Sequence, residues 1–88
     1  MKEEQITCVA NILAQWNPLG EKANYVSDLD GYRVEATDII VALEIRGKTV
    51  TPELIVMEVI NQAFDLSITS KSCIAPAQEI MAILGKKH

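Results

Sequence analysis

The residues of this chain best placed to do chemistry are two carboxylates, Glu35 and Asp38, which stand three positions apart. In a helix that spacing puts both side chains near one face, where paired carboxylates could act as general acid and general base. The alternative is an ordinary solvated or capping face. The single histidine, His88, stands at the end of the sequence, where we expect no fixed position, so a Cys–His or Ser–His pair is not expected. We therefore predict no catalytic residue.

Two cysteines, Cys8 and Cys73, could bond to each other or act as nucleophiles. They lie in separate helical segments and lack the Cys-x-x-Cys spacing of redox pairs. No apolar export segment with a small-residue cleavage site follows the charged first residues, so we expect a cytoplasmic protein with reduced thiols partly packed in its core. A disulfide that joins the first and last helices is the alternative.

The run from Asp28 to Gly31, Asp-Leu-Asp-Gly, is similar to part of a calcium-binding loop. An EF-hand loop with this glycine at its sixth position would begin at Val26 and end at Thr37, and both lack the carboxylate that the motif needs. We therefore interpret Asp28 and Asp30 as capping residues of the following helix. The four glycines are isolated, so no phosphate-binding loop is present, and we predict neither a metal nor a cofactor.

Aromatic residues are few, and three of them, Trp16, Tyr25 and Tyr32, lie around one irregular stretch. We expect them to pack that stretch onto the helices, with Trp16 lying against Tyr32. The alternative is an aromatic-lined groove left open for a partner or ligand, with Glu35 and Asp38 as hydrogen-bond acceptors. The candidate partner or ligand surface consists of seven residues: Trp16, Tyr25, Asp28, Asp30, Tyr32, Glu35 and Asp38.

The composition indicates one small folded domain over residues 1–88. Of the 88 residues, 49% are hydrophobic, which is enough for a core. The net charge of −4 argues against a nucleic-acid partner, because phosphate binding needs clustered lysine and arginine. No apolar run approaches the ~20 residues that span a bilayer, so a membrane is not an expected partner either.

Apolar residues recur every three or four positions in four segments, which predicts an all-α domain. We expect helices over about residues 4–16, 31–46, 52–65 and 73–85. Their predicted ends are marked by Pro18, Gly47, Thr51, Ser72 and Gly85. These elements predict a compact antiparallel bundle of about four helices, with one long irregular loop between helices 1 and 2.

The second helix carries two apolar stripes. The first consists of Tyr32, Ala36, Ile39, Ile40 and Leu43, and the second of Val34, Val41 and Ile45, interrupted by Asp38. A helix that is apolar over so much of its circumference should be touched on more than one side. The broad apolar surface of this helix, together with Ile12, Val41, Ile45 and Met57, which lie off the main stripes, could exceed what a four-helix monomer covers. Self-association into a homo-oligomer would then cover the remainder.

Two segments carry a family resemblance: the run from Trp16 to Gly20, Trp-Asn-Pro-Leu-Gly, and the run from Tyr32 to Ile39. With an apolar third helix and a cysteine in the fourth, the chain resembles the YugE-like family of short, uncharacterised proteins of Bacillus and its relatives. The resemblance is carried by Trp16, Pro18, Gly20, Tyr32, Glu35 and Asp38. It implies a small all-α cytosolic bacterial protein and supplies no activity, cofactor or catalytic residue.

Size, acidity and the lack of a catalytic set favour a non-enzymatic protein that binds an unidentified protein partner, as an adaptor, inhibitor or immunity-type module. The alternative is a small-ligand or metal-binding domain with an aromatic and acidic pocket near Trp16, Tyr32, Glu35 and Asp38. An enzyme is not expected, since general acid–base catalysis needs a positioned pair of acid and base, and carboxylates are the only candidates for it in this sequence.

Overall fold

The chain is helical through most of the part that the structure, a computed structural model, describes, namely residues 3–21 and 30–85. These residues form four α-helices, α1 (Glu3–Trp16), α2 (Arg33–Arg46), α3 (Pro52–Phe64) and α4 (Ile74–Leu84), with short 3-10 turns at Asp30–Tyr32 and Lys71–Cys73. No β-strand occurs within them, which confirms the predicted all-α class. Most of the predicted irregular loop, residues 22–29, lies outside the described residues.

The four helices form a ring in which each packs against two neighbours. Helix α1 contacts α2 and α4, and α3 contacts the same two helices. Their inward side chains share one core, whose fully enclosed members are Val9, Leu13, Ala36, Ile39, Ile55, Val56, Ile60, Cys73 and Ile80. The predicted four-helix bundle is therefore confirmed, with one apolar face of each helix turned to the common centre.

Helix α1 ends at Trp16, as predicted from Pro18, which disfavours helical backbone at the residue before it. The backbone N–H of that residue, Asn17, still donates to the Leu13 carbonyl at 2.7 Å. Asn17 itself has φ +51°, a left-handed conformation that asparagine tolerates better than most residues. It therefore ends the helix and turns the chain.

Helix α2 begins two residues later than predicted, and its N-cap is Tyr32 rather than an aspartate. Gly31 and Tyr32 have φ +62° and +67°, so the chain turns through two consecutive left-handed residues before the helix begins. The Tyr32 side chain makes no capping hydrogen bond. The expectation that Asp28 or Asp30 caps α2 is therefore wrong for Asp30, whose position precedes the cap by two residues, while Asp28 lies outside the described residues.

Helix α3 begins where local chemistry predicts. Thr51 is the N-cap in extended conformation, Pro52 is the first helical residue, and Glu53 lies in the first turn. A proline there costs no hydrogen bond, and an acidic residue meets the positive end of the helix dipole. The Thr51 hydroxyl makes no capping hydrogen bond, so the cap is formed by backbone conformation alone.

The connection from α3 to α4 is held by a side chain that the sequence patterns did not single out. The Asn61 amide group donates to the Ile68 carbonyl at 3.1 Å, and its oxygen accepts from the Ile68 N–H at 2.9 Å. The chain then enters a 3-10 turn, and α4 begins at Ile74 behind Cys73, not behind the predicted cap Ser72. Pro76 is the third residue of α4, and a proline is tolerated in the first turn of a helix because the N–H it lacks would have no partner there.

Within the described residues, none of the helices is long and apolar enough to cross a membrane.

Candidate functional site

Four of the seven residues of the predicted partner or ligand surface have described side chains, and these four differ in their exposure to solvent. Tyr25 and Asp28 lie outside the described residues, and of Asp30 only the backbone is described. Of the other four, Tyr32 and Glu35 are buried, Trp16 is half-buried and Asp38 is exposed. Buried side chains cannot form the contact surface for a partner, so Tyr32 and Glu35 have an internal role.

Tyr32 precedes the first residue of α2 and contacts Asn17, just after α1, and Phe64, at the end of α3. Its hydroxyl donates a hydrogen bond to the Asn17 side-chain oxygen at 3.1 Å. Its ring meets the Phe64 ring edge-on, with centroids 6.0 Å apart and planes at 81°, a favourable geometry for two aromatic rings. Burial raises the pKa of Tyr32, a hydrogen bond with the Leu19 backbone opposes that rise, and the negative charge of Glu35 adds to it.

Trp16 faces α4 rather than Tyr32. It lines a cleft of about 250 Å³ together with Ile12 and Gln15 of its own helix and Ala75, Pro76 and Glu79 of α4. Within the described residues, the ring contact of Tyr32 is with Phe64. Tyr32 is therefore joined to the end of α1 by its hydrogen bond to Asn17, the residue after Trp16, and not by the expected ring packing on Trp16.

Glu35 and Asp38 share a helix but not an environment. Glu35 is only 8% exposed, whereas Asp38 faces solvent. General acid–base work by this pair would need both carboxyls to reach one substrate.

No cluster of three or more histidine, cysteine or acidic residues that could hold a metal occurs in residues 3–21 and 30–85.

The two cysteines are free thiols in different surroundings. Cys8 is exposed on α1, and Cys73 is buried at the start of α4. Burial raises the pKa of Cys73, a hydrogen bond from Ser72 opposes that rise, and the charge of Glu53 adds to it. A buried thiol with a raised pKa is a poor nucleophile, because the thiolate is the reactive form. Cys73 therefore acts as a core residue, whereas Cys8 is not packed in the core.

The outer face of α2 carries three exposed aliphatic side chains in a periodic pattern. Val34, Val41 and Ile45 are 58%, 37% and 76% exposed. They lie on the side of α2 opposite the buried residues Ala36, Ile39, Ile40 and Leu43. The second stripe seen in the sequence is thus left uncovered by α1, α3 and α4. Of the other two residues expected to lie off the main stripes, Ile12 is buried in the core and Met57 packs partly against it.

A larger cleft, which sequence reasoning missed, lies between the start of α3 and α4. Its volume is about 520 Å³. Its walls are formed by Thr51, Pro52, Glu53, Ile74, Ala77, Gln78, Met81 and Ala82. Ile74 is 40% exposed on the rim of this cleft. No local signal in the sequence marks the cleft, because it arises from the spacing of two helices.

No family model, no curated protein and no solved structure matches this chain. The resemblance to the YugE-like family therefore remains a prediction, and the function has to be argued from the chain itself.

Proposed function

We propose that this protein is a non-enzymatic helical module of the bacterial cytoplasm that acts by binding another protein chain, as an adaptor, inhibitor or immunity-type protein does. The observation that carries the proposal is the uncovered apolar face of α2. Its three aliphatic side chains, Val34, Val41 and Ile45, lie in line on one helix and point away from the core.

Aligned apolar side chains can be removed from water together by one partner, whereas scattered exposed residues cannot. Each square ångström of apolar surface removed from water contributes about 25 cal/mol. Val34 and Val41 are seven positions apart, and Val41 and Ile45 are four apart, so all three lie on one side of the helix and can be covered together by a single helix of a partner. This arrangement favours a helix–helix contact with a protein over contact with a small molecule.

The side chains that could act as acids, bases or nucleophiles support the same proposal, since Tyr32, Glu35 and Cys73 are buried in the fold. Tyr32 is bonded to Asn17 and packs on Phe64. These groups hold the helices together and leave binding as the activity that the exposed surface serves best.

Site-specific photocrosslinking in cells of the source organism tests the proposal. A photoreactive residue at Ile45 is expected to form a protein adduct, and the same residue at Ile83 of α4, which is 41% exposed, serves as the matched control. The adduct at position 45 should disappear when Val41→Glu adds a charge to the face. Equal adducts at both positions, or none at position 45, would contradict the proposal.

A second candidate function, binding of a small ligand, is favoured by the cleft between α3 and α4. Its volume of about 520 Å³ lies within the ~300–1,000 Å³ of typical ligand sites. It contains none of the residues predicted for a pocket near Trp16. A thermal-shift screen against metabolites tests it, with Ala82→Trp as a variant that fills the cleft. A ligand that raises the melting temperature of the wild type but not of Ala82→Trp would support this function.

A further inference from the structure

The outer face of α2 carries four residues whose spacing is the same in both directions. Asp38, Val41, Ile45 and Lys48 are separated by three, four and three positions, so they lie on one side of a helix. All four are exposed. An acid stands at one end of this set, a base at the other, and two aliphatic residues lie between them.

Lys48 keeps its place on this face although α2 ends two residues before it. The Gly47 N–H donates to the Leu43 carbonyl at 2.9 Å, and the Val50 N–H donates to the Arg46 carbonyl at 2.9 Å. Both hydrogen bonds join residues four apart, as in an α-helix, and the Thr49 N–H also donates to the Arg46 carbonyl at 3.0 Å, as in a tighter helical turn. The chain therefore follows a helical path through Lys48, one turn beyond Ile45.

We infer that this face binds a second copy of the chain, with α2 antiparallel to α2 of the other copy. The inference rests on the proposed function and names its partner. A two-fold axis at the level of residue 43 places Val41 against Ile45 of the second copy and Asp38 against Lys48 of the second copy. By symmetry each contact occurs twice. When the second copy runs in the opposite direction, the acid of each copy therefore faces the base of the other, and the aliphatic residues face each other.

The charges select this arrangement over the parallel one. In a parallel pairing about a two-fold axis along the helices, Asp38 would face Asp38 of the second copy and Lys48 would face Lys48. Like charges placed opposite each other across an interface are unfavourable. Both arrangements place aliphatic residues in contact, but only the antiparallel one pairs opposite charges at both ends.

The size of the face sets the expected strength of the dimer. Stable complexes bury about 800 Å² per partner, and two aliphatic side chains from each copy supply only part of that area. The ion pairs at the rim are exposed and therefore screened by salt. We expect a reversible dimer that dissociates on dilution and weakens at high ionic strength.

Analytical ultracentrifugation of the full chain tests the inference over about 10 µM to 1 mM, the range in which a weak dimer dissociates. The wild type should show a monomer–dimer equilibrium. Ile45→Glu should remain monomeric throughout, and the matched exposed substitution Ile83→Glu should leave the equilibrium unchanged. Ile45→Ser is the second variant if the glutamate disturbs folding, with helicity checked by circular dichroism. A monomeric wild type, or a dimer that Ile45→Glu leaves intact, overturns the inference.

A charge swap tests the register itself. Asp38→Lys and Lys48→Asp should each weaken the dimer about tenfold or more, because each places like charges together at both ends. The double variant Asp38→Lys with Lys48→Asp should recover the wild-type dissociation constant to within about threefold. Glu44→Gln, a charge removal on the same helix outside the four residues, should have little effect. Failure of the double variant to recover overturns the antiparallel pairing.

The mass of the photocrosslinked adduct at position 45 separates this inference from the proposed function. An adduct of two copies supports both. An adduct with a different protein, together with a monomeric purified chain, retains the proposed function and overturns the self-pairing. The absence of any adduct overturns both.

Discussion

The Tyr32 hydroxyl donates a hydrogen bond to the Asn17 side-chain oxygen over 3.1 Å and so joins the end of α1 to the beginning of α2. Both residues have left-handed backbone, with φ +51° at Asn17 and +67° at Tyr32. For a tyrosine that conformation is uncommon and costs energy. The edge-on contact with Phe64 and the hydrogen bond to Asn17 hold Tyr32 there. The two ends of the long connection are thus closed onto each other by one side chain.

Removing this hydrogen bond should destabilise the fold modestly. We expect Tyr32→Phe to lower the free energy of unfolding by about 1 kcal/mol, because Asn17 is exposed and water can replace the lost donor. Urea denaturation followed by circular dichroism gives the value. Tyr32→Ala, which also removes the ring from the core, should cost ~3–5 kcal/mol. Equal losses in the two variants would contradict the assignment of the smaller loss to the hydroxyl.

The Asn61 side chain should contribute more, because it makes two hydrogen bonds to the same backbone residue, Ile68. Asn61→Ala removes both and should cost about 2 kcal/mol at this partly buried site. Asn61→Asp keeps the acceptor and loses the donor, so we expect an intermediate loss. Hydrogen exchange of the Ile68 amide provides a local measure. Exchange at Ile68 should quicken in Asn61→Ala and stay closer to the wild-type rate in Asn61→Asp. Unchanged protection in both variants would show that Asn61 does not hold this connection.

The helices were predictable from the sequence wherever the signals are local. Thr51, Pro52 and Glu53 together mark the start of α3, and the three-four spacing of apolar residues marks the extent of each helix. Which of the two apolar stripes of α2 is buried was not predictable in the same way. Both stripes have the right spacing, and only the positions of α1 and α3 decide which one is covered.

The candidate site was less predictable, because it depends on contacts between distant residues. Trp16 lines a cleft together with residues of α4. The residues near Trp16 in sequence contain no signal that α4 packs beside it. The start of α2 was misplaced because local propensity disfavours a left-handed tyrosine, whereas tertiary contacts with Phe64 and Asn17 impose one. Capping preferences also favour an aspartate at the start of α2, whereas the N-cap is Tyr32 in left-handed conformation.

The fold should lose stability at alkaline pH through two buried groups. Burial raises the pKa of both Cys73 and Tyr32, so the folded chain holds these two protons more tightly than the unfolded chain does. The resulting stabilisation is complete below the ordinary pKa values of thiol and phenol and is lost as the pH rises through the folded values. Urea midpoints measured from neutral to strongly alkaline pH should therefore fall. Cys73→Ala should flatten the first part of the decline and Tyr32→Phe the later part; a decline identical to the wild type in both variants would exclude these groups as its cause.

The two cysteines should differ sharply in reactivity. Cys8 is exposed and Cys73 is buried, so a thiol reagent such as Ellman's reagent should label one thiol rapidly in the folded chain. The second should react at least about a hundredfold more slowly, through opening of the fold. Cys8→Ser should remove the rapid phase, and denaturant should make both thiols of the wild type react together. Rapid labelling of Cys73 in the folded Cys8→Ser variant would mean that the start of α4 is open.

Helices α3 and α4 both end in a left-handed residue, Asp65 with φ +53° and Gly85 with φ +70°. Glycine adopts this conformation without strain, whereas other residues do so at a cost. We therefore expect Asp65→Gly to raise the free energy of unfolding by about 0.5–1 kcal/mol and Gly85→Ala to lower it by about 1 kcal/mol. A side chain at Gly85 would meet no atom within 4 Å, so the loss there would come from backbone conformation alone. Asp65→Ala is the matched control, since it removes the carboxylate and keeps the strain. If Asp65→Ala stabilises the fold as much as Asp65→Gly does, then charge rather than backbone conformation limits the stability at the end of α3.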